Sequence, residues 1–226
     1  MRRDVDRGSR CVAAQQCGLV SRAQVHQLGG NNALITRRVK AGWWERVRPG
    51  VYSVSPASPP EARDLWVREL WAAHLVLGPD SLVSHEAAAQ LHGLRPPVGG
   101  LITLTIPRHQ GRTPEGIVLH RRRDFDRLDC VDVSGLPVTT VARTLVDLAL
   151  VMSPDRLAGP IQQALDRRLC SIEELDQVLE RVRRRGRSGI TRMSRTLATI
   201  SAEPTASPTS SPASSRRSAS PLTPVG

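Results

Sequence analysis

Apolar residues recur every third or fourth position in several parts of the chain, which is the spacing of helices that bury one face. Between about Pro60 and Leu77, such a stripe contains Trp66, Leu70 and two alanines. Later segments show the same period, and several follow a Ser or Thr that can cap a helix. Beyond the first stripe, the pattern predicts helices over residues 85–91, 141–150, 154–169, 172–183 and 191–199.

Short extended segments separate these helices. From Leu101 to Ile106, Thr103 and Thr105 alternate with apolar residues, which predicts a strand with one buried face and one solvated face. Helices and strands mixed in this way indicate an α+β fold. The other predicted extended segments are 117–120, 131–133 and 137–138.

The first 54 residues predict three short helices and a hairpin. The first helix covers residues 4–17, and Ser21 can cap a second helix over residues 22–28. Gly29-Gly30 ends that helix and supplies a tight turn. Asn31 or Asn32 can then cap a third helix over residues 33–41.

The third helix has one apolar face and one polar face. Ile35 and Val39 lie four residues apart and point inward, with Leu34 beside them. On the opposite face, cationic and hydrogen-bonding side chains could reach base edges and phosphates in a major groove. The alternative is an ordinary solvated face. The candidate contacts on this helix are Asn32, Thr36, Arg37 and Lys40.

A basic hairpin follows the third helix. Its strands are predicted at 43–47 and 51–54, joined by Arg48-Pro49-Gly50. Strand alternation predicts Arg46 and Arg48 on one side, as further DNA contacts, and Val47 on the other side. The order helix, turn, basic helix, wing is typical of a winged helix-turn-helix that binds DNA. The aromatic residues Trp43, Trp44 and Tyr52 are interpreted as hinge and core packing rather than as base-stacking groups.

The charge balance favours a polyanionic partner. The 226 residues include 32 Lys and Arg against 21 Asp and Glu, giving a net charge of +11. Lys40 is the only lysine, and arginine is the better bidentate partner for phosphate and guanine. A GC-rich coding sequence would also produce arginine in place of lysine, but it would not produce the excess charge.

The residue pattern predicts no metal, no cofactor and no catalytic centre. Cys11, Cys17, Cys130 and Cys170 form no CxxC pair, and are expected to be buried or unreactive thiols. His85-Glu86 lacks the second histidine of a metalloprotease motif, because Ala89 stands there. His85 and His92 are therefore interpreted as structural. The acids Glu86, Asp124, Asp126 and Asp129 show no catalytic spacing.

The chain is expected to act in the cytoplasm, because no segment has the length of apolar residues that a signal peptide or membrane span needs. We predict a winged helix-turn-helix domain over residues 1–56 and an α+β domain over 57–199. A disordered Ser/Pro tail is predicted over 200–226. Residues 55–60 form a linker. The Arg121-Arg122-Arg123 run is either a phosphate-contacting patch or a solvated edge that discourages strand pairing.

Four segments together resemble the winged-helix AbiEi-type antitoxins of type IV toxin–antitoxin systems. They are GLVSRAQ at 18–24, WERVRPGVY at 44–52, LVSHEAAAQLHGL at 82–94 and VSGLPVTTVARTLVDLA at 133–149. The resemblance implies a non-enzymatic regulator whose N-terminal domain binds inverted repeats in its own promoter. It implies DNA contacts at Thr36, Arg37, Lys40, Arg46 and Arg48. It also implies a nucleotidyltransferase-like toxin as a protein partner, although regulators of this type without a toxin are an alternative.

The sequence departs from part of this family at its C-terminal end. Many similar proteins continue into an endonuclease-like domain of the PD-(D/E)xK type, but here the Ser/Pro tail begins at that point. The lone lysine, Lys40, lies in the helix assigned to DNA reading, so no such nuclease is expected. Two alternative interpretations are a protein-interaction module, and the truncated remnant of a longer protein with the endonuclease-like domain.

Overall fold

The computed structural model describes residues 2–54, 62–95, 99–107, 113–122, 127–183 and Met193. Within these ranges the protein is an α+β structure with two separate sheets, as the sequence predicts. The predicted linker at 55–60, the tail at 200–226, Asp124 and Asp126 lie outside the described residues. So does most of the helix predicted at 191–199.

The N-terminal part is a winged helix-turn-helix. Three helices precede a hairpin, and a short strand before the second helix completes an antiparallel sheet of order β1-β3-β2. The prediction of a winged helix is therefore confirmed, although β1 was not predicted. The elements are α1 (Arg2–Ala14), β1 (Leu19–Ser21), α2 (Arg22–Gln27), α3 (Asn32–Lys40), β2 (Glu45–Arg48) and β3 (Val51–Ser53).

Local signals place the second and third helices. The Ser21 hydroxyl oxygen accepts a hydrogen bond from the backbone amide of Gln24. The side-chain oxygen of Gln24 in turn accepts one from the backbone amide of Ser21, and together the two bonds make a capping box. The Asn31 side chain accepts from the Leu34 amide at 2.9 Å and caps α3. Between the helices, a Cβ on Gly30 would lie 2.9 Å from the Val25 carbonyl oxygen. The turn therefore requires glycine at this position.

The larger part is a mixed five-stranded sheet with helices packed on it. The strand order is β6-β5-β4-β8-β7, in which the pairs β4–β8 and β5–β6 are parallel and the other two pairs are antiparallel. The helices are α4 (Ala62–Leu77), α5 (His85–Leu91), α6 (Val141–Val151), α7 (Pro154–Asp166) and α8 (Ile172–Arg183). The strands are β4 (Leu82–Val83), β5 (Thr103–Pro107), β6 (Val118–Arg122), β7 (Cys130–Val133) and β8 (Leu136–Thr139).

The two parts of the molecule share a hydrophobic core. Leu19 and Val51 of the small sheet pack in one cluster with Leu70 and Trp71 of α4 and with residues of the large sheet. A second cluster fills the winged helix, and a third joins α6, α7 and α8. The small sheet thus lies between the winged-helix core and α4. The winged helix is therefore held against the α+β part, rather than packed only on itself.

One prediction about exposure is wrong. Thr103 and Thr105 are fully buried rather than on a solvated strand face, because β5 is an inner strand with helices α4 and α5 both in contact with it. Cys11 and Cys17, expected to be buried or unreactive, are exposed on the outer side of α1 and in the turn after it.

Candidate nucleic-acid interface

The outward face of α3 is open to solvent. Leu34 and Ile35 are buried in the winged-helix core, whereas the four candidate contacts on the other face are exposed. The helix is thus anchored along one side and uncovered along the other. An exposed helix face of this kind is the surface that helix-turn-helix proteins present to a groove. The exposed candidates are Asn32, Thr36, Arg37 and Lys40.

Polar contacts fix the orientation of α3. Arg38, which points away from the open face, makes a two-bond ion pair with Asp6 of α1, with 2.9 Å between Nε and Oδ1. At the start of the helix, the Asn32 side chain lies 3.1 Å from Nε2 of His26 on α2. The helix is therefore held at both ends before any partner binds.

The hairpin contains a β-bulge that separates the two predicted wing arginines. Arg46 pairs with Tyr52, but Arg48 pairs with Val51, so Val47 is an extra residue in β2. Neighbouring residues of β3 point to opposite faces, and the two arginines therefore do the same. The prediction that Arg46 and Arg48 share one side is wrong, because strand alternation does not continue through a bulge. Arg46 is exposed.

Arg48 bonds to the α+β part of the protein. Its guanidinium donates to Glu69 on α4, at 2.8 Å from Nη2 and 3.2 Å from Nε, and its Nη1 donates to the Glu115 carbonyl at 3.0 Å. These contacts tie the wing to α4 and to the segment before β6. Arg48 as a DNA contact stays a prediction, but its observed contacts give it the role of an anchor for the wing.

The anchor role predicts matched effects for the two partners of this ion pair. Both Arg48→Ala and Glu69→Ala should weaken DNA binding by loosening the wing. On charge alone, Glu69→Ala would strengthen binding, because it removes a negative charge. Neither variant should change the slope of log affinity against log salt, which drops by about one unit when a phosphate contact is lost. Titrations at several salt concentrations measure both quantities. Stronger binding by Glu69→Ala, with a shallower slope for Arg48→Ala, would contradict the anchor role.

The aromatic residues of this region divide into two kinds. Trp44 and Tyr52 are buried with ring centroids 6.3 Å apart, which confirms core packing for these two. Trp43 is 64% exposed, so the interpretation as core packing is wrong for this residue. It lies in the connection between α3 and β2, where neither helical nor strand period decides which way a side chain points.

A buried polar cluster in the larger part was not predicted from the sequence. The imidazole rings of His85 and His120 stack with centroids 3.6 Å apart. The hydroxyl oxygen of Ser84 lies 2.9 Å from Nδ1 of His85. The same oxygen accepts a hydrogen bond from the hydroxyl of Thr105. His85 has a positive φ of 51°, a conformation uncommon for residues other than glycine. These contacts join α5, β5 and β6.

Charged groups continue this cluster toward α8. Arg143 pairs with Asp147 at 3.1 Å and with Asp129 at 2.6 Å. Arg181 of α8 pairs with Asp129, and Arg122 of β6 pairs with Asp147 at 3.2 Å. The chain of ion pairs thus alternates in sign across β6, α6 and α8. Arg122, one member of the basic run, therefore faces inward, while Arg121 is exposed on the edge strand.

The histidines of the cluster are held in their neutral form. Burial, followed by the neighbouring His120 and two arginines, lowers the pKa of His85 well below its usual value. Burial and then Arg122 lower the pKa of His120 to about 4. His85 has no exposed surface, whereas His120 is half-buried. His92 is likewise structural, with Nε2 at 2.7 Å from the Thr139 carbonyl oxygen.

No group of three or more His, Cys, Asp or Glu within the described ranges is arranged to hold a metal ion. No helix in the same ranges is long and apolar enough to cross a membrane.

A helix-turn-helix with an open basic face, a hairpin wing and an attached α+β part together define a winged-helix protein of the regulator class. The chain belongs to the AbiEi antitoxin family. A family model described as a transcriptional regulator, AbiEi antitoxin, matches residues 11–55, and one described as the AbiEi antitoxin C-terminal domain matches residues 81–199, more than half of the chain. Regulators of this family are generally non-enzymatic.

The crystal structure of the RV2827C protein from Mycobacterium tuberculosis is similar to this chain with a TM-score of 0.49 and 19% sequence identity. The similarity covers 85% of this chain and 76% of that one. No curated protein matches the sequence.

Proposed function

We propose that the protein is a non-enzymatic, cytoplasmic DNA-binding regulator that represses its own promoter by occluding it. The observation that carries this proposal is the open face of α3, where Thr36, Arg37 and Lys40 are exposed on a helix held firmly from behind. Arg46 on the wing adds a fourth exposed polar group. The family match at residues 11–55 supports the same role.

Binding to double-stranded DNA tests the proposal directly. A labelled duplex from the protein's own promoter is titrated with the full chain and followed by fluorescence anisotropy, beside a duplex of the same composition in scrambled order. We expect tighter binding to the promoter duplex, with an affinity that falls steeply as salt rises, because arginine–phosphate contacts release counterions. No binding, or equal binding to both duplexes at all salt concentrations, would refute a promoter-specific regulator.

We further propose that the α+β part opposes a nucleotidyltransferase-like toxin. The support is the match of residues 81–199 to the antitoxin C-terminal domain. If a gene for such an enzyme lies beside the gene for this protein, co-expression should relieve the toxicity of its product. Relief that also occurs with the full chain carrying Arg37→Ala would show that the activity does not depend on DNA binding. Unrelieved toxicity would leave a regulator without a toxin partner.

A further inference from the structure

Arg22, the first residue of α2, is an exposed arginine that touches the wing. Its backbone amide donates to the carbonyl of Gly50 in the wing turn at 2.8 Å. Its Nη2 donates to the hydroxyl of Tyr52 on β3, with 3.4 Å between the two atoms. A guanidinium has several N–H donors, so the bond to Tyr52 leaves others for a partner. The side chain is thus directed by the wing and still open to solvent.

Arg22 and Arg46 lie on the same face of the small sheet. Arg46 is directly opposite Tyr52 in the β2–β3 pair, and side chains opposite each other project on one face. The hydroxyl that Arg22 contacts belongs to this Tyr52. Glu45 is opposite Ser53, the next position along β3, so its carboxylate projects on the other face. Within the described ranges, neither arginine forms an ion pair. Two cations on one face without an acid fit an anionic partner.

The exposed side of α2 connects the wing to the open face of α3. Arg22 and His26 are four residues apart on the helix, so their side chains lie on the same side, and both are exposed. Nε2 of His26 lies 3.1 Å from Oδ1 of Asn32, the first residue of the open face. Thr36 follows Asn32 by about one helical turn. Observed contacts therefore lead from Tyr52 in the wing, across α2, to the helix that is proposed to enter the groove.

We propose that Arg22 binds a phosphate of the DNA backbone, between the positions contacted by α3 and by Arg46 of the wing. In helix-turn-helix proteins the helix before the recognition helix crosses the backbone, and arginine can hold a phosphate through two parallel N–H···O bonds. The Tyr52 hydroxyl directs the guanidinium in advance, so less side-chain entropy is lost on binding. The contact carries no sequence information and fixes the position of α3 on the duplex. The inference rests on the proposed DNA-binding function and adds α2 to the interface.

Salt titrations with the promoter duplex test the inference. Arg22→Ala should raise the dissociation constant on the order of tenfold, the scale of one charge-assisted hydrogen bond. The slope of log affinity against log salt should fall by about one unit, because one phosphate contact is lost. Arg22→Lys keeps the charge and should keep the wild-type slope. Arg7→Ala, which removes an exposed arginine from α1, is the matched control and should also keep that slope.

Modified duplexes provide a second readout, which locates the contact. Each duplex carries one uncharged methylphosphonate in place of a phosphate, and the position is moved along the promoter sequence. At one position the replacement should weaken binding by the wild type but not by Arg22→Ala, because the variant has already lost that contact. If every replacement weakens both proteins by the same factor, Arg22 contacts no phosphate and the inference is overturned.

Failure of the inference and failure of the proposed function give different results. If the wild type binds the promoter duplex and Arg22→Ala binds as Arg7→Ala does, the inference is overturned and the DNA-binding function stands. Weaker binding by Arg22→Ala with an unchanged salt slope and a lower urea midpoint would also overturn it, since Arg22 would then stabilise the fold through Tyr52. If the wild type binds no duplex, both fail.

Discussion

Asp147→Asn is expected to destabilise the protein by about 3–5 kcal/mol, the cost of breaking a buried ion pair by removing one partner. The amide has nearly the volume of the carboxylate, so the change leaves no cavity and tests the charge alone. Asp147 is 1% exposed and lies between Arg143 and Arg122. Without its charge, the cluster would hold three arginines against the single carboxylate of Asp129.

The histidines make this imbalance more costly. His85 and His120 lie beside Arg122 and are neutral, so they supply no negative charge to replace the one removed. Water cannot compensate either, because Arg143 is 1% exposed. Arg143 would then share the Asp129 carboxylate with Arg181, and a desolvated guanidinium with less than a full counter-charge is unfavourable in a protein interior.

Urea denaturation followed by far-UV circular dichroism measures the effect. Asp155→Asn, which makes the same chemical change at an exposed position in the first turn of α7, is the matched control. The double variant Arg143→Met/Asp147→Leu should lose less stability than the sum of its two single variants, because within this pair neither charge is left facing the uncharged replacement of the other. It also provides a measurement if Asp147→Asn does not fold. Equal midpoints for Asp147→Asn and Asp155→Asn would show that the cluster does not stabilise the fold.

The sequence predicts those features that depend on local spacing. The helix at 172–183 agrees with α8 at both ends, Ser21 caps α2 as predicted, and of the two asparagines left open as the cap of α3 it is Asn31 that caps it. Side-chain period and caps are local, so they can be read without the fold. Strands β1 and β4 were missed because they have three and two residues, too few for alternation to show. The burial of Thr103 and Thr105 depends on helices distant in sequence.

At the candidate interface, too, the features set by local spacing were predicted and those set by the fold were not. The open face of α3 was predicted because helical period alone separates Arg37 from Ile35. Arg48 was placed on the wrong side because the bulge at Val47 leaves no mark in composition. The buried cluster joins Ser84 and His85 to Arg143 and Asp147, which lie in two of the segments that resemble the family. Spacing could not reveal it, since its members come from widely separated parts of the chain, between Ser84 and Arg181.

Arg37→Ala is expected to weaken binding to the promoter duplex by roughly 1–3 kcal/mol, the range for loss of a bidentate contact to a guanine edge. Arg37 is exposed near the middle of the open face of α3, one residue before the Arg38 that anchors the helix. Because its guanidinium is not needed to hold α3, the variant should unfold at the wild-type urea concentration. The loss should therefore appear in binding alone.

Two further variants separate base reading from charge. Arg156→Ala removes one exposed arginine from α7, far along the chain from α3, and should bind nearly as the wild type does. Arg37→Lys keeps the charge but lacks the planar fork, so it should lose preference for the promoter over the scrambled duplex. If Arg37→Lys keeps that preference while Arg37→Ala loses affinity equally for both duplexes, Arg37 contacts phosphate only. Removal of an exposed cation from a helix bound in a groove must change the affinity for DNA. If Arg37→Ala binds as Arg156→Ala does, α3 is therefore not the helix that contacts the DNA.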